Sequence, residues 1–144
     1  MVMTRELWIR AVFAYLALQS ALIGVWALLA PRSFYDDFPG AGRAWVAVDG
    51  PYNEHLVRDV GALNLAILVV FALAAFRPSR DLIRLAAGVA LVWGVPHLLY
   101  HAANTDGLET GDVVANLGGL ALFVGLPISV LVGARPSDPR PSVR

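Results

Sequence analysis

The chain has no cysteine and no lysine, and it carries little charge of either sign. Without cysteine there is no disulfide framework, no thiolate metal ligation and no CxxC redox chemistry. Every basic residue is an arginine, amid abundant alanine, glycine, valine and leucine, a bias that points to a GC-rich bacterial genome and says nothing of mechanism. Charged residues make up 15% of the 144 positions, against about 25% in soluble domains. The formal net charge is zero, so no nucleic acid or acidic partner is implied. Only three histidines are present.

What fills the chain is apolar: 58% hydrophobic residues and a mean hydropathy of +0.64. A soluble fold of this size has no interior large enough to hide so much apolar surface. Four stretches, about 9–30, 59–77, 82–101 and 113–134, are each long enough to cross a bilayer core, which takes roughly 20 residues. The expectation is therefore an all-α polytopic membrane four-helix bundle forming one domain over 1–134. The remainder, 135–144, is rich in Pro, Ser and Arg and reads as a disordered tail. Arg5 and Arg10 precede an apolar run that ends at Ala30-Pro31. That run exceeds the h-region of a signal peptide, roughly 7–15 residues, and reads as an uncleaved first span.

Arginine placement sets the expected topology. Arg5, Arg10, Arg77, Arg80, Arg84, Arg135, Arg140 and Arg144 fall on one side, whereas Arg32, Arg43 and Arg58 fall on the other. The positive-inside rule then places both termini and the Arg77–Arg84 turn in the cytoplasm of a bacterial cell, with the protein in its cytoplasmic membrane. Asp36, Asp37, Asp49, Glu54, Asp59, Asp106, Glu109 and Asp112 all fall on the outer side and make that face locally anionic.

The segment 31–58 between spans one and two is the longest connection, and it carries Phe34, Tyr35, Phe38, Trp45 and Tyr52. Such a loop reads as a cap folded over the outer end of the bundle, with helical turns near 32–37 and an extended piece near 44–48. A segment resting on lipid headgroups is the alternative. Asn53 suits an N-cap for span two, and Ser79 or Asp81 for span three. Trp8 and Trp26 suit interfacial anchors, and Gln19 is read as the one buried polar residue of span one. Pro96 should kink span three where His97 sits. Gly88, Gly118 and Gly119 would allow close helix packing within the bundle or between copies of the chain.

All three histidines gather at the same expected end. Asn53-Glu54-His55-Leu56-Val57-Arg58-Asp59 and Pro96-His97-Leu98-Leu99-Tyr100-His101 each place two potential ligands four residues apart on one helix face. His55, Asp59, His97 and His101, with Glu54 or Asp112 as a further ligand, form a donor set suited to Zn, Fe, Mn or Cu. Helical bundles commonly build metal sites from facing helices. Leu98 follows His97, so this is not the HExxH of a metalloprotease. Triads, phosphate loops and dinucleotide fingerprints are absent from the sequence. Other readings of the same residues stay open: a structural polar network, with Glu54 pairing Arg58, Asp59 pairing Arg58 or Arg43, and His97 bonding Asn64 or a carbonyl; haem held by His55 with His97 or His101; or a pocket for a small molecule, quinone or lipid headgroup.

The four-span plan with a long first outer loop, together with Pro51-Tyr52-Asn53-Glu54-His55-Leu56-Val57-Arg58-Asp59-Val60-Gly61-Ala62-Leu63-Asn64, resembles the DoxX-like superfamily and segments of small actinobacterial membrane proteins. The resemblance implies a membrane subunit, in some relatives tied to thiol or quinone redox chemistry. A chain without cysteine departs from the thiol branch. No catalytic residue is carried over by the resemblance.

Overall fold

The computed structural model describes residues 2–133, and the expected disordered tail at 135–144 lies outside the described residues. In chain order the elements are α1 (Val2–Leu29), α2 (Pro31–Asp37), the two-residue strands β1 (Pro39–Gly40) and β2 (Arg43–Ala44), a 3-10 turn at Ala47–Asp49, then α3 (Glu54–Phe76), α4 (Arg80–Ala103) and α5 (Thr110–Gly133). Four of these helices, α1, α3, α4 and α5, are long and apolar enough to cross a membrane. The protein is an all-α, multi-pass membrane four-helix bundle.

Helix starts follow local capping. The Asn53 side chain accepts the Leu56 N–H at 3.1 Å, and Ser79 Oγ accepts that of Leu82 at 3.3 Å. Each satisfies one of the orphan amides of a first turn. Ser79, not Asp81, therefore caps α4. α4 runs on as helix through Pro96.

The bundle is assembled from two helix pairs. α1 packs most extensively on α3 and α4 on α5, whereas the α3–α4 and α1–α5 seams are slighter. Glycine explains the closeness of α1 and α3. A Cβ on Gly61 would lie 2.6 Å from the Leu28 backbone nitrogen, and one on Gly24 would lie 2.8 Å from Leu65 Cδ2. The antiparallel pair is also clasped at both ends. Arg10, salt-bridged to Glu6, donates to the carbonyls of Ala75 and Phe76 at 2.9 and 3.0 Å, at the end of α3. Arg58, salt-bridged to Glu54, donates to the Leu28 carbonyl at the end of α1. Each arginine thus satisfies carbonyls that the partner helix leaves unpaired, where the helix dipole favours a cation.

At the end nearer the Arg77–Arg80 turn the core is filled. Phe13, Leu16, Phe71, Ala74, Ala86, Ala87, Ala90 and Val130 are buried. Phe71 meets Phe13 and Phe123, each at 6.2 Å between ring centroids, within the usual range of aromatic pairs. Gly94 admits Phe123, whose Cδ1 would be 2.8 Å from a Cβ there. Close packing therefore uses Gly24, Gly61 and Gly94. Gly88, Gly118 and Gly119, expected to serve it, have open space where a Cβ would stand.

At the opposite end the 31–53 segment folds back as a cap. Phe34 is buried against Ala27 and Val57, with Trp26, Phe38, Val46 and Tyr52 packed around them. Trp26 meets Phe34 edge-on at 5.8 Å and donates its indole N–H to Ser33 Oγ at 3.3 Å. It is thus part of the cap. The extended piece expected near 44–48 is confined to Arg43–Ala44, after which the chain turns into the 3-10 segment.

Candidate ligand pocket at the loop end of the bundle

Each spanning helix has one core-facing stripe, repeating every three or four residues as a 3.6-residue period requires. On α4 it runs Ile83, Ala86, Ala87, Ala90, Gly94 and then His97 and His101; on α3 it runs Val57, Val60, Asn64, Ile67 and Phe71. On α5 it runs Asn116, Leu120, Phe123, Pro127 and Val130. Near the cap the stripes turn polar, with Gln19 and Ser20 on α1, Asn64 on α3, His97 and His101 on α4 and Asn116 on α5. These side chains enclose a cavity of about 340 Å3 roofed by Phe34, Phe38, Trp45 and Val46, within the size range of small-molecule sites.

The cavity reaches well below the helix ends. Gln19 and Asn64 each stand ten residues from the loop end of their helices, about 15 Å at 1.5 Å per residue. That depth is half of a hydrocarbon core of roughly 30 Å. Polar groups there lack water and need partners.

Three lining atoms have none. Gln19 Oε1, Trp45 Nε1 and Asn116 Oδ1 are buried without a hydrogen-bond partner, and all three residues line the cavity. Ser20, 2% exposed, is a second buried polar residue of α1, where Gln19 was expected alone. Asn64 uses its amide N–H on the Val60 carbonyl at 2.9 Å, within its own helix, and not on His97. His97 stacks on Trp93 with 5.3 Å between ring centroids and meets His101 edge-on at 4.8 Å. Among the described residues no arginine lines the cavity, and the one carboxylate that does is that of Asp49, which is exposed. The lining is therefore mostly apolar and uncharged, with hydrogen-bonding groups converging from every spanning helix and the cap.

The six expected ligands divide into three sets. His97 and His101 line the cavity. His55 and Asp59 pair with each other at 3.4 Å on an exposed face of α3. That face lies across the helix from Val57, Val60 and Asn64, so neither residue reaches the cavity. Glu54 is held by Arg58 at 2.9 Å, and Asp112 is held by Arg43 of the cap, which therefore does not pair with Asp59. Among the described residues no three His, Asp or Glu side chains gather as a metal-holding group. Bis-histidine haem ligation would need His55 opposite His97 or His101, and His55 stands outside the cavity that holds them.

The outer layer of the cap is a separate polar patch. The Arg32 guanidinium lies over the rings of Tyr35 and Tyr52, 5.7 and 5.0 Å from their centroids, and bonds Asp36 at 2.6 Å. The Asp36 hydrogen bond raises the Arg32 pKa above its ordinary value, and desolvation raises that of Tyr52. Arg32 thus stays charged and Tyr52 neutral at neutral pH, so neither changes charge there.

No family model, curated protein or solved structure matches the chain. Ser20, Trp45 and Trp93 are among the site residues that residue spacing missed. For Trp93 a signal was present, because it lies four positions before His97 on the stripe that also carries His101. Trp45 had none, since a loop residue's direction depends on how the cap folds.

Proposed function

We propose that this membrane protein binds an uncharged amphipathic small molecule, whose polar head sits among Gln19, Trp45, His97 and Asn116. The observation that carries this reading is the convergence of three partnerless buried polar atoms on one cavity. An unsatisfied buried polar atom costs about 1–3 kcal/mol, and a ligand bearing both a donor and an acceptor offsets that cost. The Trp45 indole only donates, so the head must present an acceptor such as a hydroxyl, ether or carbonyl oxygen. The two amides and the imidazoles accept or donate according to orientation. The absence of arginine from the lining disfavours a phosphate or carboxylate head, which would be buried without a counter-charge.

The test uses 4-methylphenol, a neutral ring with one hydroxyl. Titrated into the purified protein, it should raise the melting temperature by mass action. The rise should vanish in Trp45→Phe and in Asn116→Leu. No shift in the parent protein at millimolar probe would sink the reading.

A second reading, metal binding, is favoured by one observation: the His97 and His101 rings are adjacent and both face the cavity. Two imidazoles suit Zn, Fe, Mn or Cu if bound molecules complete the ligand set. Metal content of the parent protein beside His97→Ala/His101→Ala tests it, and identical content in both would exclude it.

The arginine asymmetry supports a cytoplasmic turn end and an outward-facing pocket. The four-span plan and the Pro51–Asn64 stretch support a DoxX-like protein of a bacterial cytoplasmic membrane, working alone, as a homo-oligomer or as a subunit of a complex. Relatives that use thiol chemistry need a cysteine that this chain does not have.

A further inference from the structure

The cavity is not sealed toward the lipid. Ala115 and Gly119 of α5 line it and are both exposed, and a Cβ built on Gly119 meets no atom within 4 Å. Across from them stands α1, which packs on α5 only lightly. On the flank of α1 an apolar groove runs over Ala21, Leu22, Val25 and Trp26 beneath Phe38 and Pro39 of the cap. Gln19, Ile23 and Phe38 line the groove and the cavity alike, so the two adjoin across these three side chains. Leu22 and Val25 are exposed residues of a spanning helix and so face hydrocarbon.

From this adjacency we propose that the ligand is a long-chain lipid with an uncharged, hydroxyl-bearing head, admitted sideways from the bilayer between α1 and α5. Its head occupies the cavity and its single apolar chain lies along the α1 groove. This rests on the head-site reading above and adds the route and the tail. Cavity size is compatible with it: about 340 Å3 holds a ring-sized head. A tail in the groove remains among apolar groups, so it gains little binding energy there. Its role is to keep the ligand dissolved in the membrane and to set its orientation.

The experiment uses 4-dodecylphenol carrying a diazirine at the chain end, photolysed with the full-length protein in lipid nanodiscs and mapped by peptide mass spectrometry. Labelling should concentrate on Ala21–Trp26 of α1 and fall severalfold when excess 4-methylphenol occupies the head site. Gly119→Phe, which narrows the opening, should abolish this labelling. Leu22→Trp, obstructing the groove from outside the cavity lining, should abolish it too and leave the 4-methylphenol melting shift intact. Gly118→Phe, on the same helix with equally open space but outside the cavity lining, should keep both signals. Suppose 4-methylphenol shifts the melting temperature but labels spread evenly over all lipid-facing helices, indifferent to the competitor. The lateral route is then wrong and the head site stands. The route is equally refuted if Gly119→Phe and Leu22→Trp leave the α1 labels unchanged, or if Leu22→Trp diminishes labelling and melting shift alike. If 4-methylphenol neither shifts melting nor competes, the head site fails and the route falls with it.

Discussion

The two ends of this bundle are built from the same four helices and the same core-facing stripes, yet one is filled and the other is hollow. At the turn end, Phe13, Phe71, Leu16 and the alanines of α4 interlock, and none leaves a side-chain polar atom unpaired. At the loop end the stripes continue as Gln19, Asn64, His97 and Asn116, too short and too polar to close on one another. Phenylalanine or leucine at those positions would fill the gap and stabilise the fold. The contrast implies that stability is concentrated at the turn end and that the loop end retains unsatisfied groups, the usual exchange of stability for function.

The most direct challenge to this contrast is to hollow out the filled end. Phe71→Ala removes a fully buried ring that contacts Phe13 and Phe123. It should cost about 3–5 kcal/mol, the usual range for core Phe→Ala, measured by reversible denaturant unfolding. Leu56→Ala, which trims a 60% exposed side chain at the rim of the cavity, should leave stability almost unchanged. Equal losses would mean that the two ends do not differ in packing.

Next in size is the α1–α3 seam that both ends share. Gly61→Leu drives a Cβ to 2.6 Å from the Leu28 backbone nitrogen, where no side chain can yield. Overpacking of this kind costs about 1–3 kcal/mol or more, and here the helices must part. The loss should appear in melting temperature, while Gly88→Leu, facing open space, should be neutral or slightly stabilising through helix propensity.

These contrasts also locate what was legible in the sequence. Span number and the existence of an aromatic cap followed from apolar run lengths and from Phe34, Phe38 and Trp45 in one connection. Asn53 and Ser79 were readable as caps because capping is local. The metal constellation was not readable in the same way. Four-residue spacing puts His55 beside Asp59, and it does not say which way that pair faces. Their phase against Val57, Gly61, Asn64 and Ile67, the buried stripe of α3, sends them outward, whereas the phase of His97 and His101 against Ala86, Ala87 and Ala90 sends them inward. Glycine carried the same ambiguity: Gly24 and Gly61 touch because α1 and α3 pair, and pairing is tertiary information. No spacing rule brings Trp45 to Gln19 and Asn116.

A smaller effect, of opposite sign, is expected at the hollow end. Asn116→Leu replaces a half-buried amide whose Oδ1 is buried without a partner by an apolar side chain of similar volume. Without ligand it should stabilise the protein by about 1 kcal/mol, the low end of the cost of an unsatisfied buried polar group. It should abolish 4-methylphenol binding at the same time. A destabilised Asn116→Leu protein would mean that the amide holds the fold together, and the division between a structural end and a functional end would collapse.

The smallest expected effect on stability concerns the cap. Arg43 ties it to Asp112 at the start of α5 through an ion pair whose side chains are 45% and 18% exposed. A partly exposed pair contributes about 0–1 kcal/mol, so Arg43→Ala should barely move the unfolding midpoint. Its consequence should instead be kinetic. The pair joins the roof of the cavity to the helix that carries Asn116, Ala115 and Gly119, and releasing it lets roof and wall separate without disturbing the packed end. Arg43→Ala should therefore speed both association and dissociation of 4-methylphenol, leaving the ratio of the two rates nearly unchanged. Raised salt should have the same effect on the parent protein and little on the variant, because screening weakens an interaction the variant no longer has. A variant with unaltered rates would show that the cap is held by Phe34 and its apolar neighbours alone.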